Sequence, residues 1–166
     1  MRAQGWGKIV NLSSMGGRFT LPGGSFYHAT KHAVEALSDA LRFELQAFGI
    51  NVIVIEPGLI RSNFGSAAAS SVDATEMSSG DDPYAAFNTH VKTTVVEAYE
   101  KGAFAKLGGD PDSVAKVIER AIATAKPKTR YTVTPSATLL LTQRKLMSDG
   151  LWDAFLKTQF PIPGKN

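Results

Sequence analysis

The chain has no cysteine, which removes both a disulfide framework and every thiolate metal site. Its three histidines are scattered and form no ligand cluster, so no metal site is expected. Charge of one sign is not concentrated either. The formal charge is +3, but the 18 Lys and Arg contain no run of five or six, which argues against a nucleic-acid surface. No segment approaches the ~18 consecutive apolar residues of a membrane span. Met1 to Gly7 carries no apolar stretch behind Arg2 and so is no secretory leader. A cytoplasmic protein is the expectation.

A chain of 166 residues, 43% apolar and 20% charged, can bury one core. Residues 8 to 13 read as a short strand, apolar without alternation, as a parallel strand covered on both faces would be. Residues 15 to 25 hold four Gly and Pro22 and form a loop, with Ser25 as the expected helix N-cap. Val34, Leu37, Leu41, Leu45 and Phe48 then recur at helical spacing, and Gly49 closes the helix. A second face of that helix carries Ala29, Ala33, Ala36 and Ala40, which suit close helix packing either within one subunit or across a dimer interface. Ile50 to Ile55 is a second buried strand, ended by Glu56, Pro57 and Gly58. Strand, helix, strand makes a right-handed crossover unit of a parallel sheet, with ligands expected beyond the carboxyl ends of the strands.

From Arg61 to about Gly80 the sequence has little periodicity and reads as a mobile loop. Tyr84, Phe87, Val91 and Val95 form a helical stripe running to about Lys101. Asp110, Pro111 and Asp112 open another helix, with Val114, Val117, Ile118, Ala121 and Ile122 inward, and Arg130 to Thr134 is a final strand. An apolar tail follows, with Leu139 to Leu141, Leu146, Leu151, Trp152, Phe155 and Phe160. Gly150 interrupts it and basic residues do not line one side. It is therefore expected to pack on the body or on a partner subunit rather than on a membrane surface.

One stretch carries chemistry. Ser13 and Ser14 end the first strand, and Tyr27 and Lys31 lie four residues apart on one face of the helix that follows. A tyrosine, with a free pKa of ~10, needs about 4 kcal/mol of preference for phenolate to act as a base near pH 7. A neighbouring ammonium works in that direction. The run from Gly7 to Ser14, the Tyr27 and Lys31 pair thirteen residues after Ser14, and the run from Ile50 to Gly58 together resemble the short-chain dehydrogenase/reductase family. Residues 14 to 22 and 33 to 45 are most similar to the branch containing steroid and retinol dehydrogenases.

The resemblance implies an α/β fold: a Rossmann-like parallel sheet with flanking helices, of which residues 1 to 166 would form a single partial domain, the C-terminal part of the fold. It implies an NAD(P)-dependent oxidoreductase interconverting an alcohol and a carbonyl by hydride transfer. Tyr27 would be the acid/base, Lys31 would favour the phenolate and bond the nicotinamide ribose, and Ser14 would hold the substrate oxygen, with Ser13 as the alternative. Pro57 and Gly58 would wall the nicotinamide, with the Ile60 backbone and the Ser62 hydroxyl near its carboxamide. Residues 84 to 101 would belong to the insertion that closes over the substrate. A homo-oligomer is implied for the intact parent protein. Phe64, Tyr84 and Phe87 point to a hydrophobic alcohol or ketone as the small-molecule substrate.

The family's Gly-rich turn, which holds the dinucleotide pyrophosphate on backbone amides, has no counterpart here. Gly5 and Gly7 follow no strand, and Gly16 and Gly17 follow the wrong one. The residues that choose between NAD and NADP are missing with it. Residues 8 to 13 would then lie at an open sheet edge. The alternative function is a catalytically inactive fragment that acts as a dimerisation or interaction module through the residue 26 to 48 helix and the apolar tail.

Overall fold

The computed structural model describes residues 1–73 and 82–164. Three parallel strands, β1 (Gly7–Leu12), β2 (Ile50–Glu56) and β3 (Arg130–Thr132), form one sheet in the order β1-β2-β3. Gly7 pairs with Ile50 and Leu12 with Ile55, while Val54 faces Arg130 and Glu56 faces Thr132. β2 is the centre because its run of β-branched residues suits a strand covered on both faces, and Ile53, Val54 and Ile55 are wholly buried. β1 lies at an edge of this sheet, as expected.

Helix α1 (Ser25–Glu44) connects β1 to β2 and packs on the face bearing Asn11, Val54 and Arg130. The other face carries Ile53, Ile55 and Val10 against Val114, Val117, Ile118 and Ala121 of α4 (Pro111–Ala123). The strand order runs on in one direction while these helices lie on opposite faces, so the two crossovers have opposite hands.

Several expectations need correction. Gly24, not Ser25, is the N-cap of α1, and Ser25 is its first residue. The helix ends at Glu44 and a 3-10 turn over Gln46–Phe48 follows, closed by Gly49 at a φ of 67°, where an added Cβ would strike the Gly5 carbonyl. Leu37 is exposed, and Ala29, Ala33, Ala36 and Ala40 are exposed too, which sets aside close packing within one subunit and leaves the dimer-interface alternative untouched. What α1 buries instead is His28, Glu35 and Ser38, each with a hydrogen-bond partner. The expected loop after Arg61 contains helix α2 (Phe64–Asp73). Its Ala67, Ala68 and Ala69 are strong helix formers that leave no amphipathic signature to read. The rest of that loop, residues 74 to 80, lies outside the described residues. Ile122 is exposed rather than inward.

Helix α3 (Ala85–Val96) follows the predicted stripe, and a π-helical turn carries it to Lys101. β3 ends at Thr132, and Thr134 caps α5 (Pro135–Leu146) by accepting from the Ala137 amide. Ser148 caps α6 (Asp149–Gln159), so the break in the tail falls at Met147 and Ser148, and Gly150 sits inside the first turn of α6. The tail packs on the body, with Trp152 and Ala137 in one cluster with Met15, Phe19 and Leu59.

Candidate active site

The site forms where β1 and β2 end. Pairing continues past the strands: the Ser13 amide donates to the Ile55 carbonyl at 2.9 Å and the Met15 amide to the Pro57 carbonyl at 2.9 Å. The chain after β1 then turns in a 3-10 helix, Met15–Gly17, capped by Ser14, whose Oγ accepts from the Gly16 amide at 3.1 Å. Ser14 is buried beside the Pro57 carbonyl, 3.5 Å from its Oγ.

Ser14 and Tyr27 line the same cavity, of about 390 Å³. Its walls come from the loop Met15–Gly24, from Leu59, from α2 and α3, and from Tyr99 and Phe160, and they are mainly apolar. The Tyr27 ring packs on Phe64 at 5.0 Å between centroids, and Phe64 on Tyr99 at 5.7 Å. Burial, and after it the neighbouring Tyr27, pushes the Tyr99 phenol well above the usual tyrosine range, so Tyr99 is a neutral wall. The Tyr27 hydroxyl has no hydrogen-bond partner among the described residues.

Lys31 lies one turn beyond Tyr27, its Nζ 5.8 Å from the Tyr27 ring centroid and donating to the Leu12 carbonyl at 3.0 Å. Ser13 is buried but does not line the cavity, and its Oγ is unpartnered among the described residues. Lys31, Pro57, Gly58, Ile60 and Ser62 also lie outside the cavity lining. Gly58 sits so close to the Thr134 and Ser136 hydroxyls that a Cβ would overlap them. Ile60 makes a parallel bridge with Gly109 through bonds to Leu59 and Arg61, which directs the N–H and C=O of Ile60 the other way. Ser62 is exposed, its Oγ accepting from the Phe64 amide at 3.3 Å and donating to the Ile60 carbonyl at 3.4 Å.

The sequence reading missed His28, Tyr99 and Phe160 as parts of the cavity. His28 falls among the alanines of α1, and only its place beside Tyr27 at the start of the helix could have drawn notice. Tyr99 lies within the stretch 84 to 101 that the resemblance set over the substrate but was not singled out there, and both it and Phe160 lie more than seventy residues from Tyr27, beyond the reach of any local pattern.

A parallel sheet with a Ser, a Tyr and a Lys at the carboxyl end of its strands defines an α/β fold of the Rossmann-like class. The family model described as short chain dehydrogenase matches residues 1–73. Over 157 residues the chain is 34% identical to the uncharacterized oxidoreductase YbbO of Escherichia coli K12, covering 95% of this chain and 51% of that protein. Over 147 residues it is 33% identical to an NADPH-dependent 3-dehydrocapnine reductase of Ornithobacterium rhinotracheale, covering 89% and 48%. A crystal structure of a short-chain dehydrogenase from Streptomyces avermitilis superposes with a TM-score of 0.65 at 30% identity, over 95% of this chain and 52% of that one. The chain belongs to the short-chain dehydrogenase/reductase family. It spans about half the length of these curated relatives.

Proposed function

We propose that the chain carries the catalytic half of an NAD(P)-dependent oxidoreductase that interconverts a hydrophobic alcohol and its carbonyl. The observation that carries this reading is that Ser14 and Tyr27 open into one apolar cavity with the Lys31 ammonium 5.8 Å from the Tyr27 ring. The phenol donates its proton to a carbonyl oxygen in reduction and takes it back from the hydroxyl in oxidation. Ser14 holds that oxygen: a lone pair is engaged by the Gly16 amide, and its proton, which rests on the Pro57 carbonyl in a long 3.5 Å contact, turns to the substrate. Lys31 stabilises negative charge on the phenol oxygen. The dinucleotide, when bound, supplies or accepts the hydride.

The residues present suit its nicotinamide end. Lys31 uses one N–H on the Leu12 carbonyl and keeps two for ribose hydroxyls. The outward N–H and C=O of Ile60 match the donor and acceptor of a carboxamide, with Ser62 beside them, while Pro57 and Gly58 form the wall. The sequence offers no amide cradle for the pyrophosphate, and either NAD or NADP is accommodated at the nicotinamide end. The substrate class follows from the wall, since Phe19, Leu59, Phe64 and Val91 gain from burying a chain or ring of carbon at roughly 25 cal/mol per Å².

The test is Tyr27→Phe in a polypeptide where a dinucleotide-binding half precedes residue 1. Turnover of 2-decanol should vanish while cofactor affinity stays, because only the proton-transferring oxygen is lost. Retention of most of the rate removes Tyr27 from the mechanism.

A second reading, that the chain acts as an association module, draws on α1. Phe26 and Phe43 are 90% and 82% exposed, and the four alanines between them are exposed as well. This face is where a homo-oligomer of the parent protein would be joined.

A further inference from the structure

His28 is buried one residue after Tyr27, and both of its ring nitrogens are engaged by the loop that walls the cavity. Nε2 lies 3.2 Å from the Leu21 amide nitrogen and Nδ1 2.8 Å from the Gly16 carbonyl oxygen. A backbone amide can only donate, so Nε2 carries the lone pair; a carbonyl can only accept, so Nδ1 carries the proton. One neutral tautomer satisfies both ends. The ring stands edge-on to Tyr27 at 5.6 Å and packs on Phe19 at 6.4 Å. Room for it depends on glycine, since a Cβ on Gly16 or Gly24 would come to 2.9 Å or 3.1 Å from ring atoms.

The Gly16 residue is held at both ends. Its amide donates to Ser14 Oγ and its carbonyl accepts from His28. We propose that His28 is a positioning residue: as a neutral Nδ1–H imidazole it fixes the setting of Ser14 and of the Gly16 to Leu21 wall against Tyr27, and so aligns the two groups that hold the substrate oxygen. Burial, the largest effect, lowers the His28 pKa and outweighs the Gly16 bond, which keeps the ring neutral near pH 7. Replacing the ring with a hydrocarbon of similar size leaves the cavity apolar but frees Ser14 to turn away.

The inference rests on the proposed alcohol–carbonyl chemistry for what is being aligned, and the experiment separates the two. The 166-residue chain is labelled with ¹⁵N, and the ring resonances of His28 are assigned at pH 7. An Nδ1–H tautomer is expected; an Nε2–H tautomer or a charged ring overturns the proposal. Exchange of the Leu21 amide should become about tenfold faster in His28→Phe and be restored in His28→Gln, which keeps an acceptor near the Nε2 position. Unchanged exchange in His28→Phe overturns it as well.

The alignment itself is read from the carbonyl stretch of ¹³C-labelled 2-decanone. Hydrogen bonds from Ser14 and Tyr27 lower that frequency in the wild-type chain, and Tyr27→Phe removes most of the lowering. His28→Phe should lose most of the lowering in the ketone that remains bound, and His28→Asn, which keeps the donor to Gly16, should regain it. A role in stability alone would leave the lowering intact in the folded, ketone-bound fraction. A full lowering in His28→Phe overturns the proposal. A wild-type chain that binds no ketone, or binds it without lowering, refutes the proposed chemistry instead, and the tautomer and the Leu21 exchange then decide on His28 alone. Should His28→Phe fail to fold, His28→Asn and His28→Gln each remove one of the two bonds and carry the same comparison.

Discussion

Replacing Arg130 by methionine should cost the chain about 3–5 kcal/mol, the usual penalty for removing one partner of a buried ionic group. Arg130 stands at the start of β3, where its Nε donates to Glu35 Oε2 at 3.0 Å and its Nη2 to Asp39 Oδ1 at 2.6 Å. The same Nε is 3.4 Å from Glu56 Oε1. Glu35 and Glu56 are 6% and 3% exposed, and one oxygen of each already has no hydrogen-bond partner among the described residues. Without the guanidinium, the cation left beside the two glutamates among the described residues is Arg18, 3.7 Å from Glu56 and itself half exposed. Asp39 is nearer to solvent and keeps Arg42, so its share of the loss is small.

The penalty should depend on pH in a defined direction. Burial, and then the charge of Glu35, raise the Glu56 carboxyl above its usual value of 4.5. A raised folded-state pKa means that the folded protein holds more protons than the unfolded one between that value and the folded pKa, so stability falls as pH rises through the window. Losing Arg130 raises the Glu56 pKa further and widens the window upward. Each pH unit across it changes stability by about 1.4 kcal/mol per proton. The deficit of Arg130→Met should therefore shrink from pH 8 to pH 5. Urea unfolding at both values measures it, and by the usual scaling for chains of this size the midpoint of melting should drop by roughly 6–20 °C at the higher pH. A variant within about 0.5 kcal/mol of wild type, or a deficit that is the same at pH 5 and pH 8, would refute the idea that these carboxylates depend on Arg130.

Four further outcomes are expected. Lys31→Ala should weaken both turnover and cofactor affinity in a polypeptide that includes the dinucleotide-binding half, since the proposed function has one ammonium serve ribose and phenolate; unchanged affinity by calorimetry leaves it an electrostatic role alone. Trp152→Ala should cost about 3–5 kcal/mol, since the ring is packed between Phe19 and Phe155 at 5.6 Å and 5.3 Å. Trp152→Phe should cost far less, because it removes an indole N–H that has no partner among the described residues. The 166-residue chain by itself should bind NAD and NADP no better than millimolar, for want of an amide cradle for the pyrophosphate, and micromolar binding by calorimetry would contradict that.

The residue pattern foretold the parts of this fold that have one period and one surface. β2 was readable because every residue from Ile50 to Ile55 except Asn51 is apolar, and α4 because Asp110 and Pro111 mark its start. Helix α2 was not, since a run of alanine and serine signals no face. The apolar stripe of α1 was legible as a stripe but misleading as a core, because its buried side is polar: Asn11 bonds Ser38, and Glu35 bonds Arg130. Such pairs depend on partners 27 and 95 residues away, which no local window contains. The same holds at the site. Ser14, Tyr27 and Lys31 announce themselves by spacing, whereas the walls of the cavity come from five separate segments that only the folded chain brings together.

The central place of β2 has a consequence for how the chain is made. β2 is complete at Glu56, but the strand that covers its far edge begins at Arg130, 74 residues later (130 − 56). At a ribosomal rate of roughly 5–20 residues per second, that edge waits about 4–15 s for its neighbour. During the wait Ile53, Val54 and Ile55, which end wholly buried, have α1 on one face and nothing from α4 on the other. Newly made chains are therefore most exposed to misassociation, and to capture by chaperones, between the emergence of residue 56 and that of residue 132.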